Sequence, residues 1–148
     1  MYKRILVAVD GSHTSNLALD EAIRIARESQ GVLRLVHVFN PVVFNPDGEF
    51  YAYPELLDAM RHGAEAVVNG AVAQSQQAGV ACEGKVLEID VSGHRIPEMI
   101  SEEARTWLAD IIVIGTHGRQ GIHRLLMGSV AEGVVRTATT PVLLIRGE

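Results

Sequence analysis

The chain has 148 residues, about one domain's worth, and a domain of that size buries roughly 70% of its unfolded surface, so it needs neither disulfides nor a metal to hold together. Hydrophobic residues make up 47%, which excludes a disordered chain, and 13 Lys and Arg against 18 Asp and Glu give a net charge of −5, which argues against a general nucleic-acid binder and against an anionic membrane surface as partner. Cys82 is the only cysteine, so an internal disulfide and a cysteine-based zinc site are excluded and a reducing cytoplasm is the expected compartment.

Lys3 and Arg4 precede only five apolar residues, Ile5 to Val9, so no secretory leader is read there. No apolar run approaches the roughly 20 residues that span a bilayer. Arg4 to Val9 reads as a strand buried on both faces. Asp10-Gly11-Ser12 ends it with turn chemistry. Leu19, Ala22, Ile23 and Ala26 then fall at helical spacing, with Asp20, Arg24 and Glu28 paired on the outer face and Gly31 near the C-cap. Val32 to Val38 is a second strand. Phe39 to Tyr53, which carries Pro41, Pro46, Gly48 and most of the aromatic residues, reads as a long loop. A long helix follows from about Pro54 to Gln77, on the spacing of Leu57, Met60, Ala64, Val67 and Ala71, and Gly79 ends it. Ala81 to Ile89 is a third strand. Ile96 to Leu108 is a helix with Pro97 suited to its first turn. Ile111 to Ile114 is a short buried strand, Gly115 to Gly128 a glycine-rich loop, Ala131 to Ala138 a fourth helix, and Val142 to Ile145 the last strand.

This β-α-β-α-β-α-β-α-β order implies an α/β domain over residues 1–148, a parallel sheet with helices on both faces. Ligands of such sheets bind beyond the carboxyl ends of the strands, where the strand order switches direction. If strand 1 is central, Asp10 and Gly115 face one crevice. The loop from Gly115 carries His117, Arg119, His123 and Arg124 and no acidic residue, in a chain of net negative charge. Its glycines let main-chain N–H groups approach an anion, and Gly128-Ser129 opens a helix whose N-terminus favours negative charge. Phosphate is the anion this pattern suits. Two structural readings compete: Ser129 to Glu132 matches a capping box, and Asp10 suits an Asx turn. The remaining histidines, His13, His37, His62 and His94, show no metal-ligand spacing. No P-loop, no Gly-x-Gly-x-x-Gly turn and no Gly-x-Ser-x-Gly elbow occurs, which speaks against a P-loop NTPase, a dinucleotide cofactor and an α/β-hydrolase.

Gly115, Gly118, Gly128 and Ser129 fit the pattern Gly-x-x-Gly-(nine residues)-Gly-Ser. With the opening Ile-Leu-Val-Ala-Val-Asp-Gly-Ser and the closing Thr-Pro-Val-Leu-Leu-Ile-Arg, the whole chain resembles the universal stress protein family, in its ATP-binding branch. The resemblance implies a Rossmann-like sheet of order 3-2-1-4-5, a homodimer, and an adenine nucleotide held by the first turn, the end of strand 2 and the glycine loop. Ala8, Asp10 and Gly11 are the implied first-turn residues, with Asp10 toward the ribose or adenine. Val38 would meet adenine through its backbone. Gly115, His117, Gly118, Arg119, Gly128, Ser129 and Val130 would surround phosphates and ribose.

The function so implied is that of a cytoplasmic ATP-binding regulatory protein of the stress response, whose nucleotide state sets its assembly or its contact with a protein partner such as a transporter or signalling protein. Hydrolysis is expected to be slow at most, because Asp10 is the one acidic residue placed at the crevice, which is also thin support for Mg²⁺. The alternatives are an enzyme cleaving ATP between the α and β phosphates, which expects paired glycines after strand 1 that this chain lacks, and a nucleotide-free interaction module. In the implied order Val142, Leu143, Leu144 and Ile145 form an edge strand without a lysine. Pairing with the same strand of a second subunit is therefore expected, with a tetramer left open.

Overall fold

The computed structural model describes residues 1–45, 48–51, 53–89, 95–117 and 127–147, and of 42–45 and 48–51 the backbone alone. Continuous apolar runs become the middle of one sheet. β1 (Arg4–Ala8) lies between β2 (Val32–Phe39) and β6 (Ile111–Gly115), with Ile5 opposite both Leu33 and Ile111. β5 (Ala81–Glu88) flanks β2, and β7 (Val142–Ile145) flanks β6, all in parallel. The order β5-β2-β1-β6-β7 is 3-2-1-4-5 when these five strands are counted along the chain, as the resemblance implied.

Strand alternation divides the core in two. Ile5, Val7, Leu33, Leu35 and Val113 face one layer, where α1 (His13–Ser29) supplies Ala18, Leu19, Ala22 and Ala26 and α2 (Pro54–Gln77) supplies Ala71. Leu6, Val36, Val38, Ile112 and Ile114 face the other, against Ile100, Ala104 and Trp107 of α3 (Ile96–Trp107) and Ala131 and Val134 of α4 (Ser129–Thr137). Full burial of side chains of this kind is worth about 1.5–3 kcal/mol each, so both layers must be covered for the sheet to persist.

Two expectations are corrected and one is met. The stretch between β2 and α2 is not all loop: β3 (Val42–Asn45) and β4 (Gly48–Tyr51) pair antiparallel as a separate two-stranded ribbon. Gly31 lies near the C-cap of α1 as expected, directly after the αL residue Gln30 (φ 55), and its N–H donates to the Ala26 carbonyl at 2.9 Å. On the outer face of α1, Arg24 pairs with Glu21 and Glu28, while Asp20 accepts a hydrogen bond from Gln74 of α2 at 2.7 Å. A long-range partner on the neighbouring helix outcompetes the local i,i+4 pairing.

Candidate functional site

Beyond the carboxyl ends of β1, β2 and β6 lies a cleft of about 360 Å³, within the range of small-molecule pockets. It sits where β1 meets its two neighbours and the chain departs in opposite directions, the position at which such sheets bind ligands.

The first wall is built by the turn after β1. The Asp10 carboxylate accepts the Ser12 N–H at 2.8 Å, and the Asp10 N–H donates to Ser15 Oγ at 3.0 Å. Ser12 in turn caps α1 by accepting from Ser15 N–H at 3.3 Å. The Asx turn is thus made, and it holds Asp10 on the cleft wall rather than competing with that position. Gly11 takes φ +81, a left-handed conformation that glycine adopts freely, and it does not line the cleft. Of the first-turn residues expected to bind, Gly11 is the one that shapes the turn rather than lining the cleft.

The second wall comes from the end of β6. A Cβ on Gly115 would meet the Thr14 carbonyl carbon and oxygen at 2.9 Å. Glycine is needed there because α1 packs against it, which the phosphate argument did not foresee. Thr116 is held by main-chain bonds: its N–H donates to the Ile145 carbonyl at 2.9 Å and its carbonyl accepts from Gly128 N–H at 2.6 Å. Its hydroxyl lies 3.1 Å from His117 Nδ1, and the Thr14 hydroxyl donates to the His117 carbonyl. These bonds bring the two ends of the glycine-rich loop together.

The third wall is the start of α4. The capping box is not formed: Gly128 is the N-cap, Ser129 is already the first helical residue, no side chain caps the helix, and Glu132 pairs with Arg136 one turn on. The N-terminus of α4 therefore presents its main-chain N–H groups at the cleft, where Gly128, Ser129 and Val130 line it. Gly128 has φ −63 and ψ 154, so backbone freedom is not why glycine stands there. Opposite, Val36 and Val38 of β2, Ile96 and Ile100 of α3, Ile114 of β6 and Ala131 of α4 form an apolar slot.

Ala8, Asp10, Val38, Gly115, His117, Gly128, Ser129 and Val130 are thus brought together as expected. Gly118 and Arg119, with His123 and Arg124, lie outside the described residues. The sequence reading missed Val9, Ser15, His37 and Thr116 and the slot residues Val36, Ile114, Ala131, Ile96 and Ile100. The last two sit at i,i+4 on the opening turns of α3, a signal that reads equally well as core.

A parallel doubly wound α/β protein with an apolar slot at one end of its switch-point cleft and an open helix N-terminus at the other is the class this geometry defines. A family model described as the universal stress protein family matches residues 1–146. A relative from Staphylococcus aureus (strain USA300) carrying the universal stress protein name is 34% identical over 152 residues, 99% of this chain and 86% of the relative. Among solved structures, a universal stress protein family member from Burkholderia pseudomallei is 33% identical, with a TM-score of 0.77 over 99% of this chain and 97% of the other. The universal stress protein of Archaeoglobus fulgidus in complex with dAMP is 29% identical, with a TM-score of 0.71 over 98% of each chain. The chain belongs to the universal stress protein family.

Proposed function

We propose that this protein binds an adenine nucleotide, ATP in particular, in the cleft at the carboxyl ends of the sheet, and acts as a regulatory rather than a catalytic protein. The observation that carries the reading is the pairing, in one cleft of about 360 Å³, of an apolar slot with the uncapped N-terminus of α4. A purine fits the first, and phosphates suit the second. The related protein from Archaeoglobus fulgidus, complexed with dAMP, supports the choice of base. In this arrangement Val36, Ile100 and Ile114 enclose adenine and Val38 meets it through the main chain. Asp10 takes the ribose hydroxyls, and Gly128, Ser129 and Val130 receive phosphate, with Gly118 and Arg119 assigned there by the family motif.

Asp10 is the only carboxylate among the described cleft residues, and one of its oxygens is engaged by Ser12. A metal clamp and a general base cannot both be drawn from it, so hydrolysis is slow and any Mg²⁺ is held chiefly by the phosphates. Among the described residues β7 pairs only with β6, is half-buried along its length and carries no charge. Val142 to Ile145 are therefore the surface through which a second copy would extend the sheet. No described helix is long and apolar enough to cross a membrane, and the reading places the protein in the cytoplasm. Native mass spectrometry of protein purified without added ligand tests both parts. The expected species is a dimer retaining adenine nucleotide, and a ligand-free monomer that takes up no added ATP contradicts the reading.

A further inference from the structure

The β1–β2 ladder stops one rung early, and a histidine side chain occupies the vacated acceptor. In parallel pairing, a carbonyl that receives an amide from the neighbouring strand is followed by an amide two residues on that returns the bond. Val9 N–H donates to the Val36 carbonyl at 2.8 Å. The returning rung would run from Val38 N–H to the Val9 carbonyl, and no such bond is made among the described residues. The Val9 carbonyl lies instead 2.7 Å from His37 Nδ1. A carbonyl only accepts, so Nδ1 carries the hydrogen.

The orientation of β2 gives this substitution its consequence. The Phe39 carbonyl accepts from Ile89 N–H at 3.1 Å, on the β5 side. The main-chain groups of Val36 and Val38 therefore face the β1 side. At Val36 they find β1. At Val38 they find the cleft, because β1 has ended and Val38 lines it. Val36 and Val38 point their side chains into the α3–α4 layer, so alternation puts the imidazole of His37 on the opposite face of the sheet, although His37 too lines the cleft.

We propose that His37 is a positioning residue. By taking the Val9 carbonyl from behind the sheet, it keeps the Val38 N–H and carbonyl open as an adjacent donor and acceptor that read the base. This rests on the nucleotide reading above. An adenine edge offers an accepting N1 beside a donating N6 amino group, which matches that pair, whereas hypoxanthine presents a donating N1–H beside an accepting O6.

Two measurements test it. In nucleotide-free protein, hydrogen exchange at the Val38 amide, followed by NMR, should be fast. In His37→Leu the amide should close onto the freed Val9 carbonyl and slow by about tenfold or more. In titrations, wild-type protein should prefer ATP over inosine triphosphate by about tenfold, the scale of one good hydrogen bond. His37→Leu should lose that preference. His37→Asn, whose amide nitrogen sits near the position of Nδ1, should keep it. His37→Gln, whose amide reaches one atom further, should lose it, and the last two variants decide the matter if the leucine variant fails to fold. A Val38 amide already protected in wild-type protein, or an unchanged ATP preference in His37→Leu or His37→Gln, overturns the proposal. Wild-type protein that binds neither triphosphate overturns the nucleotide reading, while Val38 exchange still decides the role of His37.

Discussion

The two ends of the sheet are built on opposite plans. At the amino ends of the strands, polar groups are cross-linked to one another. Asp110 accepts the N–H groups of Lys3 and Arg4 at 2.9 and 2.8 Å. The Arg4 guanidinium donates to the Trp107 carbonyl at 2.9 and 2.6 Å and lies 4.3 Å from the centroid of its ring, while Arg34 lies 4.7 Å from that ring. Arg34 reaches Glu83 and Glu103 at 2.6 Å, and Lys85 reaches Glu103 at 3.1 Å. Burial works against the Arg34 charge, but its hydrogen bonds to Glu83 and Glu103 more than offset that, and its pKa is raised. At the carboxyl ends the reverse holds. Helix α4 is uncapped, the Val38 main chain is unpaired with β1, and an apolar slot lies open. Helix α3 joins both ends, giving Ile100 to the cleft and Glu103 and Trp107 to the network. The comparison teaches that one end of this molecule carries stability, and the other keeps main-chain hydrogen bonding in reserve for a ligand.

Substitutions at the two ends should separate those roles. Trp107→Ala removes the ring that both guanidiniums cover and opens a cavity under α3, so urea unfolding should show a loss of about 3–5 kcal/mol. Binding of ATP by the folded fraction should change little. Gly128→Val does the opposite. Its backbone angles suit valine, so stability should hold, while a branched side chain at the anion end should weaken ATP binding by about a hundredfold in calorimetric titration, the loss of one or two charge-assisted hydrogen bonds. Glu103→Ala leaves Arg34 with Glu83 alone in a largely buried setting, and a destabilisation of about 2 kcal/mol follows.

The smallest effect is a pH dependence. Main-chain hydrogen bonds from Arg4 and Lys3 hold the Asp110 carboxyl below its ordinary value of 3.8. A lowered native pKa means stability that is fully present above 3.8 and is lost as pH falls through the native value. Asp110→Asn should therefore be less stable than wild type near neutral pH, and the gap should narrow as pH drops below that range. A gap independent of pH would show that the charge contributes nothing.

The stable end was the less legible in the sequence. Arg34, Glu83, Glu103 and Trp107 are far apart along the chain, and their meeting depends on the register of β2 with β5 and on the rotation of α3. The sheet order was easier, because continuous apolar runs and helical spacings leave few arrangements once β1 is central. The eight expected residues that line the cleft lie at element ends, where turn chemistry marks them. The competing capping-box reading of Ser129 fails because that box is a local pattern, while the N-cap is Gly128 and Ser129 is already helical. Gly115 was read for an anion when its Cβ position is filled by α1. The bond from His37 to Val9 has no sequence signal, because it depends on where a ladder ends rather than on spacing.

Amide chemical-shift mapping during an ATP titration tests the central claim most directly, since it reads both ends of the sheet at once. Saturable shifts should centre on Val38, Ser129 and Val130, with Arg34, Glu103 and the Trp107 indole nearly still. An absence of saturable shifts, or shifts centred on the Arg34–Trp107 end, would contradict the assignment of the nucleotide to the carboxyl-end cleft.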